Sequence, residues 1–468
     1  MGKQLIQSFS TRVYHWANVP EKLYLIVALI GVIGFALITP PFQGPDEQSH
    51  YIRAQYISHG YILPVDANKA NTHLPLTVQS SISSTLLKDP GNGGLKKYNI
   101  RESLHEAKTP LNAEGTYQPP MISYTAVPYL PAIPAIAIAN TLNLNPIISM
   151  YAARISLALF CVLLAYFAIK IVPQKKYLFT AIALTPMLLF QQSVVSTDGT
   201  SYALLLFFIC FVLYLGKKPI ITTKQWAWVG VLCVAITLAK PLVFLFLPLV
   251  LLLFKKRLAK IWIPAITIFC VLLFAATTLY NSHLTDGVVD PNVPKDANYS
   301  KQLVVIKEKP ARFLRVMWNT YTSTYGDNQT RGIIGVFGAA DTFYPLSMTF
   351  IYVIVLTYVA AVRFKREDEE RLPKSVQFLL IGCGALYFSL VNLAMYLSFT
   401  PVDFNIIYGV QGRYFLPLLI MAPLFAIPFL TIIKKYQQKV LVCVGAGLLA
   451  LTIVALFITF QRYYLYTP

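Results

Sequence analysis

The chain alternates long apolar runs with short basic connectors and two long polar regions. Runs apolar enough to enter a bilayer cover Leu23–Ile38, Ile148–Val172, Tyr177–Val194, Ser201–Leu215, Trp226–Leu238, Leu242–Phe254, Ile261–Tyr280, Leu346–Val362, Val376–Tyr396, Phe415–Ile433 and Val440–Phe460, eleven in all. A helix needs roughly 20 residues to cross the hydrocarbon core. Trp226–Leu238 and Leu242–Phe254 are shorter than that and flank Lys240-Pro241, so one broken hairpin is expected there. Met121–Leu142 is also apolar, but Pro128, Pro131 and Pro134 interrupt it. Proline removes backbone donors and kinks helices, so an interfacial or re-entrant element is expected rather than a span.

The polar regions are Pro40–Asn145 and Asn281–Tyr344. Neither is long or apolar enough to count securely as an independent domain, so residues 1–468 read as one transmembrane domain with two large loops. Within the first loop, Pro45–His59 carries a helical pattern. In the second, Asp286–Asp296 is turn-rich and Lys301–Tyr321 helical.

Composition agrees with this pattern. Of 468 residues, 56% are hydrophobic and 13% charged, which excludes an ordinary soluble enzyme and points to an all-α polytopic membrane protein. The net charge of +19 is mostly topological. The connectors Pro173–Lys176, Gly216–Lys224, Lys255–Lys260, Arg363–Lys374 and Lys434–Lys439 carry 2, 3, 4, 5 and 3 basic residues, and Lys3, Arg12 and Lys22 precede the first run. Ser196–Thr200 and Thr400–Gln411, on the opposite side, carry none. Eleven spans with an internal N-terminus put every basic connector inside, as the positive-inside rule demands. Counting Met121–Leu142 as a span would break that agreement. Lysines scattered over short loops give no nucleic-acid-binding surface.

All six cysteines, Cys161, Cys210, Cys233, Cys270, Cys383 and Cys443, fall inside expected spans and read as small apolar residues rather than a disulfide framework. The first run is a full span behind a long polar segment, so no cleavable signal peptide is expected. No soluble C-terminal domain is expected after Phe460, and Gln461-Arg462-Tyr463-Tyr464 has the composition of an interface anchor.

The candidate chemistry gathers at the outer ends of the spans. Just past the first, Gly44-Pro45-Asp46-Glu47 opens a helix in which Gly44 can cap and Pro45 can take the first position. Asp46 and Glu47 then fall in the first turn, where the helix dipole favours negative charge. Capping alone is one explanation; two carboxylates at a membrane edge also suit chemistry. Asp46, His50 and Arg53 recur at i, i+4 and i+7 and share a face, suiting either acid/base work or a solvated, ion-paired surface. Asp46, Glu47 and His50 could also hold a divalent cation, although no two histidines have ligand spacing on a helix. Further along, Asp198 follows the third span, where it could instead cap the fourth. Lys240 is the sole charge between Trp226 and Phe254, and Arg413 opens the tenth span beside Tyr414, with Gly409 and Gly412 permitting close approach. Lysine and the planar arginine fork at such edges suit a phosphate headgroup, with snorkelling and interface anchoring as the alternatives.

One N-terminal span, an acidic motif heading a large first external loop and about ten further spans resemble the GT-C superfamily of membrane glycosyltransferases. More narrowly, Pro45-Asp46-Glu47-Gln48-Ser49-His50-Tyr51-Ile52-Arg53-Ala54, the Gln191–Asp198 segment, Lys240-Pro241 and Gly412-Arg413-Tyr414-Phe415-Leu416-Pro417 look like a bacterial branch of predicted membrane proteins of unknown function. The resemblance runs over most of the chain. It implies an inverting transfer of a sugar from a polyprenyl-phosphate donor to a cell-surface glycan or lipid, outside the bacterial cytoplasmic membrane. Asp46 would be the general base, with Glu47 its partner or a metal ligand. The expected absence of a soluble C-terminal domain departs from eukaryotic-type members and argues against a protein acceptor. The competing classes are a transporter or flippase of lipid-linked sugars, and a polymerase or ligase using a polyprenyl-diphosphate donor.

Overall fold

The computed structural model describes residues 19–64, 73–85, 87, 96–117, 124–285 and 293–465. Lys3, Arg12, most of Asp286–Asp296 and the first residues of Met121–Leu142 lie outside them.

Among the described residues, six helices are long and apolar enough to cross a membrane: Pro20–Ile38, Pro146–Ile171, Thr197–Lys217, Ala259–Thr285, Lys374–Ser398 and Lys434–Phe460. The other five expected spans are shorter or broken elements. Tyr177–Val194 divides into Lys176–Ala183 and Pro186–Gln192, because Pro186 cannot continue the first helix. Phe415–Ile433 is a short helix, Leu416–Met421, between two 3₁₀ turns, and then runs extended. Its strand Leu430–Thr431 pairs in parallel with Val362–Arg363. Leu346–Ala361 matches its expected bounds.

At the expected broken hairpin, two elements flank Lys240-Pro241, the first longer and the second shorter than the apolar runs. Thr223–Ala239 is a capped 17-residue helix, about 25 Å long at 1.5 Å per residue. Val243–Leu253 is wound as 3₁₀ helix, so its 11 residues reach about 22 Å at 2.0 Å each. Lys240 sits in the hinge between them with extended backbone.

Elsewhere, Pro310 splits the single helix expected over Lys301–Tyr321 into Tyr299–Glu308 and Pro310–Thr322. The described part of Met121–Leu142 holds only a 3₁₀ turn at Val127–Tyr129 and the helix Ile133–Thr141. The helix Pro146–Ile171 is the central post of the bundle, packing against both Pro20–Ile38 and Thr197–Lys217. The first polar loop has its own core of Phe42, Tyr51, Tyr56, Leu74, Val78 and Ile136. That core continues onto Met150, Leu157 and Cys161 of the same post, so the loop is seated on the bundle.

Large apolar side chains face outward along the long helices, among them Ile268, Leu272, Phe350, Ile354, Phe378 and Phe457. Exposed apolar surface on this scale belongs against lipid.

Candidate functional site

At one end of the bundle, four segments distant in sequence bring Asp46, Asp198, Lys240 and Arg413 together. Asp198 lies in the first turn of Thr197–Lys217, and its carboxylate accepts from the Lys240 ammonium at the hinge. Lys240 also donates to the Tyr202 hydroxyl at 3.0 Å and lies over the rings of Tyr202 and Tyr414, 5.0 and 5.3 Å from their centroids. Arg413 heads a 3₁₀ turn formed by Gly412–Phe415. Its Nη2 donates to Asp46 Oδ2 at 2.9 Å, its Nε lies 3.7 Å from Asp198 Oδ2, and its guanidinium stacks 5.2 Å from the Tyr414 centroid. The cluster is electroneutral, two carboxylates against two cations. Arg413 and Asp198 are buried at 4% and 6% side-chain exposure, whereas Asp46 is 63% exposed. The open carboxylate therefore stands at the mouth of a buried charge network.

Tyrosines fix the backbone around this network. Tyr202 donates to the Arg413 carbonyl at 2.9 Å and Tyr387 to the Tyr414 carbonyl at 2.7 Å. Gly412 is needed for the approach of its segment to the rest, because a Cβ there would lie 2.1 Å from the Gln329 carbonyl oxygen and 2.4 Å from the Gly332 backbone carbon.

Asp46 does not occupy a first helical turn. The helix runs Glu47–Ser58, and Asp46 is its N-cap in the left-handed region, φ 56°, without a side-chain capping bond. Aspartate tolerates that conformation better than most residues, and here it aims the carboxylate away from the helix it precedes and toward Arg413.

Glu47 holds this geometry from behind. It is fully buried, and it accepts Arg154 Nε on Oε1 at 2.7 Å and Arg154 Nη2 on Oε2 at 2.5 Å. The amides of Val195 and Gly44 complete its set, each at 2.9 Å. Arg154 spends its remaining three N–H groups on the carbonyls of Ala36, Thr39 and Pro40, so all five donors are satisfied. The expectation of Glu47 as catalytic partner or metal ligand is thereby corrected: its oxygens are occupied in pinning the turn between the first span and the acidic motif. Sequence reasoning missed Arg154. The available signal was a single arginine well inside an apolar run, where an ionisable residue needs a partner.

Asp46, His50 and Arg53 do not act as one face. Arg53 is buried and donates to the carbonyls of Tyr124, Tyr61 and Ile62 at 2.6 to 2.8 Å, closing the loop over its own helix. His50 is also buried, with Nδ1 2.6 Å from the Tyr129 hydroxyl and its ring 5.0 Å from that of Tyr124. Burial pushes the His50 pKa down to about 4, against the smaller opposing pull of Asp46 and Asp198. It is neutral near pH 7 and serves as a hydrogen-bonding wall beside the cluster. The set expected for a divalent cation, Asp46, Glu47 and His50, does not assemble, because Arg154 holds Glu47. Among the described residues, no group of three or more His, Cys, Asp or Glu side chains is placed to hold a metal ion.

One cavity adjoins the cluster, and a second shares a wall residue with the first. The first, about 200 Å³, is lined by Pro45, Gln329, Gln411, Gly412, Arg413 and several apolar side chains. The second, about 420 Å³, shares Gln329 but is otherwise mostly apolar, walled by Ile333, Phe388, Phe415, Leu418 and Leu419.

A helical bundle with an electroneutral charge cluster at one end, beside a small mixed cavity, defines a polytopic membrane protein with a candidate site at the bundle's edge. Residues 29–422 match the family described as "Predicted membrane protein (DUF2142)", and the chain belongs to that family. No curated protein and no solved structure matches it.

Proposed function

We propose that this protein is an inverting glycosyltransferase of the GT-C type, moving a sugar from a polyprenyl-phosphate donor to a cell-surface glycan or lipid acceptor. The observation that carries this reading is the exposed Asp46 carboxylate beside the half-buried Lys240 and the buried Arg413, with an apolar groove next to the cavity that Arg413 lines. In the reaction, Asp46 accepts the proton of the acceptor hydroxyl as its oxygen bonds to the anomeric carbon. The bond from that carbon to the phosphate oxygen breaks, and the electron pair leaves with the polyprenyl phosphate. Lys240 and Arg413 stabilise that charge.

Donor binding exchanges one anion for another, the phosphate replacing Asp46 on Arg413 and freeing the base. Asp198 stays with Lys240 and keeps the cations of the cluster paired. The opposite end of the bundle gathers Lys175, Lys217, Lys218, Lys256 and Arg363, and the positive-inside rule supports a cytoplasmic placement of that end with the site outside.

The test is turnover by the purified protein in proteoliposomes, supplied with polyprenyl-monophosphate or polyprenyl-diphosphate hexoses and isolated cell-envelope glycan. Release of polyprenyl phosphate from the monophosphate donor is expected. Asp46→Asn should slow it by about 100- to 10,000-fold, and Arg413→Lys should weaken donor binding about tenfold or more, a point charge being a poor substitute for the fork. Turnover of the diphosphate donor alone would favour the polymerase or ligase reading. Movement of the intact donor across the bilayer without turnover would favour a flippase, and normal activity in Asp46→Asn would remove the base assignment.

A further inference from the structure

The cavity of about 200 Å³ is distinct in chemistry from the charge cluster it touches. Pro45 and Arg413 place it directly against the Asp46–Arg413 pair, yet the rest of its polar lining is amide. Gln329 comes from the helix Thr324–Arg331 and Gln411 from the segment before Gly412, so two segments distant in sequence each bring a glutamine to the wall of one space. The half-exposed ring of Phe343 forms part of the wall. Met187 contributes from the helix Pro186–Gln192, and one turn further on, Gln191 falls on the same face. Gln191 and Gln192 are both fully buried, and all four of their amide atoms lack a hydrogen-bond partner among the described residues. Neither lines the cavity itself.

Side-chain amides carry donor and acceptor on one planar group and therefore pair with hydroxyls of either role. An aromatic face offers packing for the C–H side of a sugar ring. The volume admits one ring of hexose size. The apolar groove begins on the other side of Gln329 and Phe415, so a molecule with its ring in the cavity and its phosphate at Arg413 can lay a hydrocarbon chain along that groove.

We infer that this cavity is the sugar subsite of the donor, with Gln329 and Gln411 reading the hydroxyls of a single polyhydroxylated ring. The inference rests on the glycosyltransferase reading and assigns specificity within it. Removing an amide that bonds a hydroxyl strands the partner and costs discrimination between glycosylated and bare lipid, while the contacts to phosphate and prenyl chain are untouched.

The experiment measures binding of the full-length protein, in nanodiscs, to bare polyprenyl phosphate and to a panel of polyprenyl-phosphate hexoses. The parent should prefer at least one hexose over bare lipid by tenfold or more. Gln411→Leu should bring that ratio close to one while leaving bare-lipid affinity within about twofold, which a misfolded variant could not do, and Gln329→Leu, at a residue that also lines the groove, should lower the ratio as well. Gln329→Glu, nearly isosteric, should alter which hexose is preferred. A ratio unchanged in both leucine variants, or a loss confined to the KM for acceptor, would overturn the inference and leave the donor reading standing. Failure of the parent to bind any polyprenyl phosphate would overturn the donor reading itself, and this subsite with it.

Discussion

At the scale of single residues, two adjacent carboxylates have opposite fates. Asp46 and Glu47 are equivalent in charge and one bond apart in sequence, yet one is open to solvent and the other fully buried. The difference is Arg154, which takes both Glu47 oxygens and leaves Asp46 to Arg413. A buried pair of this kind contributes little net stability against an apolar replacement, but breaking it from one side strands a charge, at about 3–5 kcal/mol. Arg154→Met is therefore expected to unfold at a far lower temperature than the parent in detergent, and Glu47→Gln/Arg154→Met should recover part of the loss. Thermal denaturation of the two variants checks this. Equal melting of the single and double variants would mean that the pair is not what holds the turn.

At the scale of elements, the positions of helix ends decide the site more than the helices themselves. Asp46 caps one helix, Asp198 opens another, Lys240 closes a third, and Arg413 heads a 3₁₀ turn. Each end was legible from proline, glycine and polar residues breaking an apolar run. What periodicity did not convey is how the broken elements would be wound: that Val243–Leu253 adopts 3₁₀ geometry, or that Phe415–Ile433 ends as an extended edge rather than a helix. Gly412 shows how tightly one such end is fitted. A methyl group there meets backbone, not a movable side chain. Gly412→Ala should displace the Gln329–Gly332 segment or the Arg413 turn. We expect destabilisation of about 1–3 kcal/mol, as for other overpacked positions, together with weakened donor binding. Gly216→Ala, where a Cβ would enter open space, should leave both near the parent. Equal behaviour of the two variants in melting and donor binding would show that close approach at Gly412 does not position the arginine.

At the scale of the whole molecule, the ends of the bundle differ in kind. One carries scattered basic connectors, the other the neutral cluster, the seated first loop and the C-terminal turn whose Tyr464 donates to the Ile38 carbonyl at 3.0 Å. The loop charge asymmetry predicts which end faces out. In a background lacking the six native cysteines, a cysteine at Lys97 should react with an impermeant thiol reagent on intact cells, and one at Glu369 only after permeabilisation. The reverse pattern would invert the orientation and remove an outer-leaflet donor from consideration.

The division between what sequence determined and what required tertiary structure follows from the range of the forces involved. Apolar run length, proline breaks and connector charge are local quantities. They marked the helical membrane class, the end of each span where charged residues collect, and Asp46, Asp198, Lys240 and Arg413 as candidate site residues. Pairing is not local. Nothing in the order of residues states that Arg413 reaches Asp46 across more than three hundred positions, that Arg53 closes a loop instead of facing substrate, or that Arg154 withdraws Glu47 from the site. Those outcomes depend on which charges meet when the bundle closes. A buried ion is tolerated only where another segment supplies its counter-charge and hydrogen bonds, and that condition is satisfied by the fold as a whole.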